Sequence, residues 1–495
     1  MFTDDARCRV WEQVQSRGVR AFGKFLTVGV IAEAARMCHR KIGSNPLNLI
    51  HLAWIGVAFA LDGTKSFANI LTVTFKILSD TPNSPLENIA RKSTPSRVPG
   101  RTGRRLDRKA ANRKRFKHRP QADEPTEVTE EAFVQARKRM PLDFWIMLAL
   151  LLADRFAKER DDMIRWKHFR LIALDGTLVN LPRHKALADH FGTARGGRGG
   201  RIPQARMIML QFPLTRVPYR WTVGPKRQAE RAMAAPLFEH LRKNDLLLMD
   251  RGFWSYGLFC RVVEQQAFFG IREFSQADLK LVQRLGPKDT LVRYAPTDRK
   301  WRKQGLPEAM VLRRIAYQVR GFRASALITN VTDPEVISYC EWVGMATKHE
   351  AGRALDNAIY HRRWEIETTF RELKVRQKMK QLRGRIPATI YYEIGSHVLL
   401  YLMIRWLMVE AAVAHGKDPL RLSFTEALVE IKDMVQTLLT ASPQRVREVL
   451  LPRLLRRIAS HHVPLRPGRH YPRPNDTKVK NLGYGRKKLP SKLVA

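Results

Sequence analysis

The stretch from Ala358 to Lys378 reads AIYHRRWEIETTFRELKVRQK. On an α-helix each residue turns by about 100° and rises by about 1.5 Å. With Tyr360 set at zero, Arg363, Glu367 and Lys374 fall at about 300°, 340° and 320°. Ile366, Phe370 and Leu373 fall at about 220–280° and belong to the buried flank. The four polar residues therefore make one stripe about 60° wide and about 21 Å long at the edge of the apolar face. A stripe so placed can line a cleft. The same spacing also suits an ordinary amphipathic helix with solvated charges, and spacing alone does not separate the two.

Outward from this helix, two further acids follow strand-like runs. HFRLIALDGTLVNLP begins at His168, and its apolar run Leu171–Leu174 ends at Asp175; LLLMDRGFWS begins at Leu246 and ends its run at Asp250. The end of a strand presents a side chain to a cleft from a rigid sheet, and the glycines that follow, Gly176 and Gly252, allow close backbone approach. Each acid alone also reads as a turn residue. The triplet Asp62-Gly63-Thr64 repeats the Asp175 motif in a helical context, with no matching partner. The GGRGG loop lacks the third glycine and following helix of a dinucleotide site, and no phosphate-cradling G-x-x-x-x-G-K-[ST] loop occurs. Taken together, Asp175, Asp250 and Glu367 offer only hard oxygen ligands, which suit Mg²⁺ or Mn²⁺. Two such ions about 3.5–4 Å apart serve in-line phosphoryl transfer.

The charge balance agrees with an anionic partner. The 495 residues carry 89 Lys+Arg against 46 Asp+Glu, a formal charge of +43, yet 44% are hydrophobic, so most of the chain should fold. Nucleic acid is the expected partner, since each neutralised phosphate releases a counterion; a basic scaffold protein shares this composition. At roughly 150 residues per domain the length suggests about three domains. The four cysteines, Cys8, Cys38, Cys260 and Cys340, lie far apart and show no zinc spacing. The first residues do not read as a secretory signal. The apolar segment Ile394–Ala414 is interrupted by His397, Arg405 and Glu410, which reads as a buried core helix rather than a membrane span. A reducing cytosol is the expected compartment.

Along the chain, residues 1–90 read as a helical domain with Val28–Arg40 and Leu47–Ala60 as helices. Residues 91–125 read as a basic linker, with thirteen Lys/Arg and one acid (Asp107) between Arg91 and Pro120. A catalytic domain over 126–415 is expected to open with a helix at Glu130–Glu159. Strands then surround Asp175 and Asp250, with a helix near Ala229–Lys243 between them. Strand-like pieces between 271 and 347 form a mainly β insertion, and helices follow at Ala354–Lys380 and Tyr391–Ala414. Residues 416–495 add a helix at Thr425–Leu439, opened by a Ser423-x-x-Glu426 capping box, and a basic tail.

The spacing Y-(2)-R-(3)-E-(6)-K through Tyr360, Arg363, Glu367 and Lys374 resembles the signature of the DDE transposases of the insertion sequence four family. YHRRWEIETTFRELK, ALDGT and MDRGFWS resemble that family too, and together these motifs cover roughly residues 168–410. The resemblance implies an α/β fold: a ribonuclease-H-like catalytic core with a mainly β insertion, flanked by helical N- and C-terminal regions. It implies that Asp175, Asp250 and Glu367 hold two metal ions, and that Tyr360, Arg363 and Lys374 grip phosphates of the transposon end. A tryptophan of the insertion, chosen here as Trp301 in DRKWRKQG, would stack a flipped base. The activity implied is cut-and-paste transposition on double-stranded DNA, at terminal inverted repeats and at the target, by a homodimeric synaptic complex in the nucleoid. The resemblance extends no motif to the first 125 residues, so end binding by the N-terminal domain is expected from charge alone, whereas family analogy makes the C-terminal region the expected dimer interface. A DNA-binding regulator derived from such an enzyme, or a structure-specific nuclease of the same fold, are the competing readings.

Overall fold

The computed structural model describes residues 20–42, 47–61, 129–194, 201–296, 298, 301, 303–318, 324–344 and 358–464. The basic linker, the Asp62-Gly63-Thr64 triplet, the GGRGG loop, the C-terminal tail and the start of the helix expected from Ala354 lie outside them. The chain divides into two units, Met1–Phe269 with Arg362–Pro464, and Gly270–His361 with Leu465–Ala495.

The first unit is built around one long helix. Among its helices are α1 (Val28–Met37), α2 (Leu49–Leu61), α3 (Glu130–Lys138), α4 (Leu142–Glu159), α5 (Tyr256–Glu264), α6 (Glu365–Arg371), α7 (Pro387–Ala414), α8 (Phe424–Thr440) and α9 (Leu451–Ser460). The single helix expected over Glu130–Glu159 is two, because Pro141 cannot continue α3 but suits the residue before α4. Pro387 opens α7 at its first turn, where a missing N–H costs nothing. From Thr389 to Ala412 nearly every side chain of α7 is buried, against α2, α3, α4, α8 and α9. It is the one described helix long and apolar enough to cross a membrane, but 83% of its most apolar window is buried inside the protein. Its polar interruptions are paired: Arg405 with Glu372, and Glu410 with Arg160 at 2.7 Å. Ser423 caps α8 by accepting the Glu426 N–H at 3.4 Å, one half of the expected box.

The strands of this unit are β1 (Arg165–Trp166), β2 (Phe169–Asn180), β3 (Gln204–Phe212), β4 (Val217–Pro225) and β5 (Asp245–Met249), laid side by side in the order β4-β3-β2-β5. Strands β2, β3 and β4 are antiparallel neighbours, whereas β5 runs parallel to β2. The sheet is buried: every residue of β5 is covered, as are the first six of β2. The helix expected at Ala229–Lys243 is only a turn at Glu230–Ala234 continued by a 3-10 turn to His240, since Pro236 ends the α-helical ladder.

In the second unit, β6 (Phe268–Arg272) enters from the first, and its Gly270–Arg272 pair antiparallel with β10 (Ser325–Thr329). The order continues through β9 (Met310–Tyr317), β8 (Asp289–Tyr294) and β7 (Leu279–Gly286), all antiparallel. A buried Arg313–Asp289 pair crosses from β9 to β8 inside this sheet.

Candidate active site

Asp175 was expected to end a strand, but β2 continues five residues past it to Asn180. The two neighbours of β2 explain the difference. Parallel β5 pairs only with Arg170–Leu174 and stops at Met249, while antiparallel β3 pairs with β2 from Ala173 to Asn180. Asp175 is therefore the first residue beyond the end of β5, where β2 passes from buried to half-buried. The register Leu174↔Met249 sets Asp175 and Asp250 next to each other on strands spaced about 4.8 Å apart.

Glu367 arrives from α6. The helix expected through this segment is in fact three different turns in succession: a 3-10 turn at Ile359–Trp364, α6, and a π turn at Glu372–Arg376. The uniform 100° step of the sequence reading therefore holds only within α6. Arg363, in the 3-10 turn, nonetheless lies between two of the acids: Nη1 is 3.6 Å from Asp175 Oδ2 and Nη2 is 3.5 Å from Glu367 Oε1. Lys374, in the π turn, donates to the Thr177 hydroxyl, two residues beyond Asp175 on β2. Two members of the predicted stripe, Arg363 and Lys374, thus meet the Asp175 strand, and Glu367 joins them through Arg363.

Burial pushes the Asp175 carboxyl up to about 6, with Glu367 and Asp250 adding to the rise and Arg363 and the Gly176 N–H opposing it. Burial likewise lowers Lys374 to about 8, helped by Lys380 and opposed by Asp175.

Several residues that the sequence reading passed over shape this site. Glu230 forms an ion pair with Arg206 at 2.6 Å, and its carboxylate packs beside Gly176, where an added Cβ would stand 3.2 Å from Oε1. Arg216 ends the β3–β4 turn with a left-handed backbone (φ 57°) and pairs with Glu365 at 2.6 Å. Glu372 takes Arg405 and the Tyr401 hydroxyl. The Arg405 interruption of an apolar helix was a legible signal of a buried acid. Glu365 and Glu372 left none, because charged residues on a helix usually face water.

Residues 166–403 match the family model of the transposase DDE domain. The Escherichia coli (strain K12) transposase InsG for insertion sequence element IS4 is 27% identical over 359 residues, covering 70% of this chain and 76% of that protein. These two likenesses support a DDE transposase of the insertion sequence four family. A solved piggyBac transposase synaptic complex with hairpin DNA aligns over 90% of this chain and 85% of that one at 10% identity, with a TM-score of 0.40, too loose a likeness to argue from.

Members of this family use divalent metal ions, and the donor set of the transposase suits one: three carboxylates, one of them made reluctant to ionise chiefly by burial and, to a lesser degree, by the other two. Among the described residues no three His, Cys, Asp or Glu side chains are already drawn together at ligand spacing; the cation between Asp175 and Glu367 is Arg363. Tyr360 is buried in the 3-10 turn that leads to α6. Trp301 lies in the second unit, half-buried, with its backbone N–H donated to the Asp298 carbonyl at 3.2 Å.

Proposed function

We propose that the transposase moves its element by a cut-and-paste reaction, with Asp175, Asp250 and Glu367 as the ligands of two Mg²⁺ or Mn²⁺ ions on a ribonuclease-H-like core. The strand order β4-β3-β2-β5, with one parallel neighbour beside a three-strand meander, supports that core. The observation that carries the reading is Arg363 held between Asp175 and Glu367, on the strand whose register brings in Asp250. Two acids that share one cation at this distance already make a binding place for positive charge. When bound, divalent ions supply Lewis acidity to the attacking and leaving oxygens.

The chain's own residues do the rest. Arg363 offers a planar fork for a phosphate, and Lys374 a compact charge held in place by Thr177. Tyr360 and Trp301 complete the grip on the terminal strand, the first at a phosphate and the second by stacking a flipped base. The substrates are double-stranded DNA ends with inverted repeats and a target duplex, brought together by a homodimer in the bacterial nucleoid. The 1–90 region binds ends, the 91–125 linker tracks phosphates, the 271–347 insertion contributes Trp301, and the 416–495 region dimerises.

Asp175→Asn, Asp250→Asn and Glu367→Gln should each abolish metal-dependent nicking of a cognate end, by more than about 10³-fold, while gel-shift affinity for that end stays within about threefold. Nicking that survives any one of them removes that residue from the metal site. Transfer of a labelled 3′-OH end into a second duplex separates transposition from simple nuclease action.

A further inference from the structure

The helix that carries Glu367 is gripped from behind by charges. On the angular scale that puts Glu367 at about 340°, Glu365 and Thr369 lie at about 140–180°, the opposite face of α6, and Glu372 follows at the start of the π turn. Arg216, from the β3–β4 turn, donates Nε to Glu365 Oε2 at 2.6 Å and brings Nη1 within 3.5 Å of Glu372 Oε1. From α7, Arg405 pairs with Glu372, and the Tyr401 hydroxyl donates to the same carboxylate at 2.6 Å. The Tyr401 and Thr369 hydroxyls are 3.2 Å apart, and Arg405 Nε donates to Tyr401 at 3.1 Å. Burial alone would raise the Glu372 carboxyl, but Arg405 and Arg216 outweigh it and hold it below the usual range, so the charged form is the one built in.

Two details tie this network to the rotation of the helix. Arg216 adopts a left-handed backbone, a conformation that costs a non-glycine residue about 1 kcal/mol and persists where surrounding contacts over-determine it. Glu372 is also where the ladder widens: the Gln377 N–H reaches back five residues to the Glu372 carbonyl at 2.8 Å, and Lys374 within that π turn reaches Thr177. The apolar anchors Ile366, Phe370 and Leu373 supply burial without direction, whereas forked ion pairs on the far side fix an angle.

We propose that Arg216, Glu372 and Arg405 are positioning residues that set the rotation of α6 and its π turn, and through it the approach of Glu367 and Lys374 to Asp175. None of them touches a reacting atom. The proposal rests on Asp175, Asp250 and Glu367 being the metal ligands.

The test uses Arg216→Lys in the full chain, which keeps the charge but removes the fork. Glu365→Gln is the milder companion, since it removes only the outer partner of Arg216. Mn²⁺ binding is read by electron paramagnetic resonance, and amide hydrogen exchange is read on the metal-free protein. In Arg216→Lys, Mn²⁺ affinity should fall about tenfold and exchange at Glu367–Gln377 should rise about tenfold, with β2 and β5 amides unchanged; Glu365→Gln should move both in the same direction by less. Wild-type exchange at Glu367–Gln377 in the variant overturns the proposal, as does a uniform rise across β2 and β5, which marks a merely structural role. Wild-type Mn²⁺ affinity with locally raised exchange also overturns it, because the helix would then loosen without consequence for the acids. Should wild-type protein and Asp175→Asn bind Mn²⁺ equally weakly, the metal reading fails on its own, and the exchange pattern still decides whether the clamp orients the helix.

Discussion

Arg363 and Asp175 form an ion pair 3.6 Å long, too long for a hydrogen bond, with the arginine almost wholly buried and the same guanidinium shared with Glu367. The arginine thus neutralises two acids that would otherwise repel across a partly dry pocket. Arg363→Ala should destabilise the metal-free protein by about 1–2 kcal/mol, allowing for the exposure of Glu367. Divalent metal should then restore more stability to the variant than it adds to the wild type. Melting both proteins in EDTA and in Mn²⁺ checks this; equal metal-induced shifts would show that Arg363 does not occupy the place of a cation.

Thr177 gives Lys374 its acceptor on the Asp175 strand. Thr177→Val keeps the shape and removes the oxygen, leaving a half-buried ammonium short of a partner, a loss of about 1.5–3 kcal/mol for a charged hydrogen bond. End nicking below enzyme saturation should fall about tenfold, and Thr177→Ser should recover most of it. Full activity in Thr177→Val would separate Lys374 placement from catalysis.

The parts of this site that were legible in the sequence are those whose chemistry is carried by residue type and spacing. Asp175 and Asp250 stood out because each ends an apolar run, and Arg363, Glu367 and Lys374 because a period of 3.6 residues gathers them. What stayed hidden depends on partners distant in the chain. The length of β2 is set by β3, not by its own apolar run. The π turn is an offset of one residue that no periodicity announces, and it begins where Glu372 meets Arg405, thirty-three residues away. The Pro141 and Pro236 breaks, by contrast, are written in the sequence. Glu365 and Glu372 resemble solvated helix charges until α7 and the β3–β4 turn are laid against them.

Three helices of the first unit meet at two glycines. A Cβ on Gly395 would stand 2.4 Å from Trp145 Cγ and 2.6 Å from its Cβ; a Cβ on Gly56 would stand 2.5 Å from Ser396 Oγ. Trp145 is fully buried, and the atoms approached at Gly395 lie close to its backbone, so rotating the side chain gives little relief. Gly395→Ala should therefore destabilise by about 2–3 kcal/mol despite its better helix propensity. Thermal denaturation checks this, and Trp145→Phe in the same background should return part of the loss. A neutral or stabilising Gly395→Ala would mean that α7 and α4 pack less closely than these distances require.

Two buried histidines make stability depend on pH. Burial lowers both His51 and His397 to about 4. His51 Nδ1 lies 2.9 Å from Asn48 Oδ1, and His397 Nδ1 lies 3.2 Å from Gln377 Nε2. In the unfolded chain both would titrate near 6.5. Because the folded values are the lower ones, the unfolded state binds more protons between about 6.5 and 4. The contribution of neutral histidine is fully present above about pH 6.5 and is lost as pH falls toward 4, at up to about 1.4 kcal/mol per pH unit for each residue. Urea midpoints should drop between pH 6.5 and 5, before most carboxylates titrate. Replacing both histidines by Gln should flatten that interval; an unchanged slope in the double variant would place the acid sensitivity elsewhere.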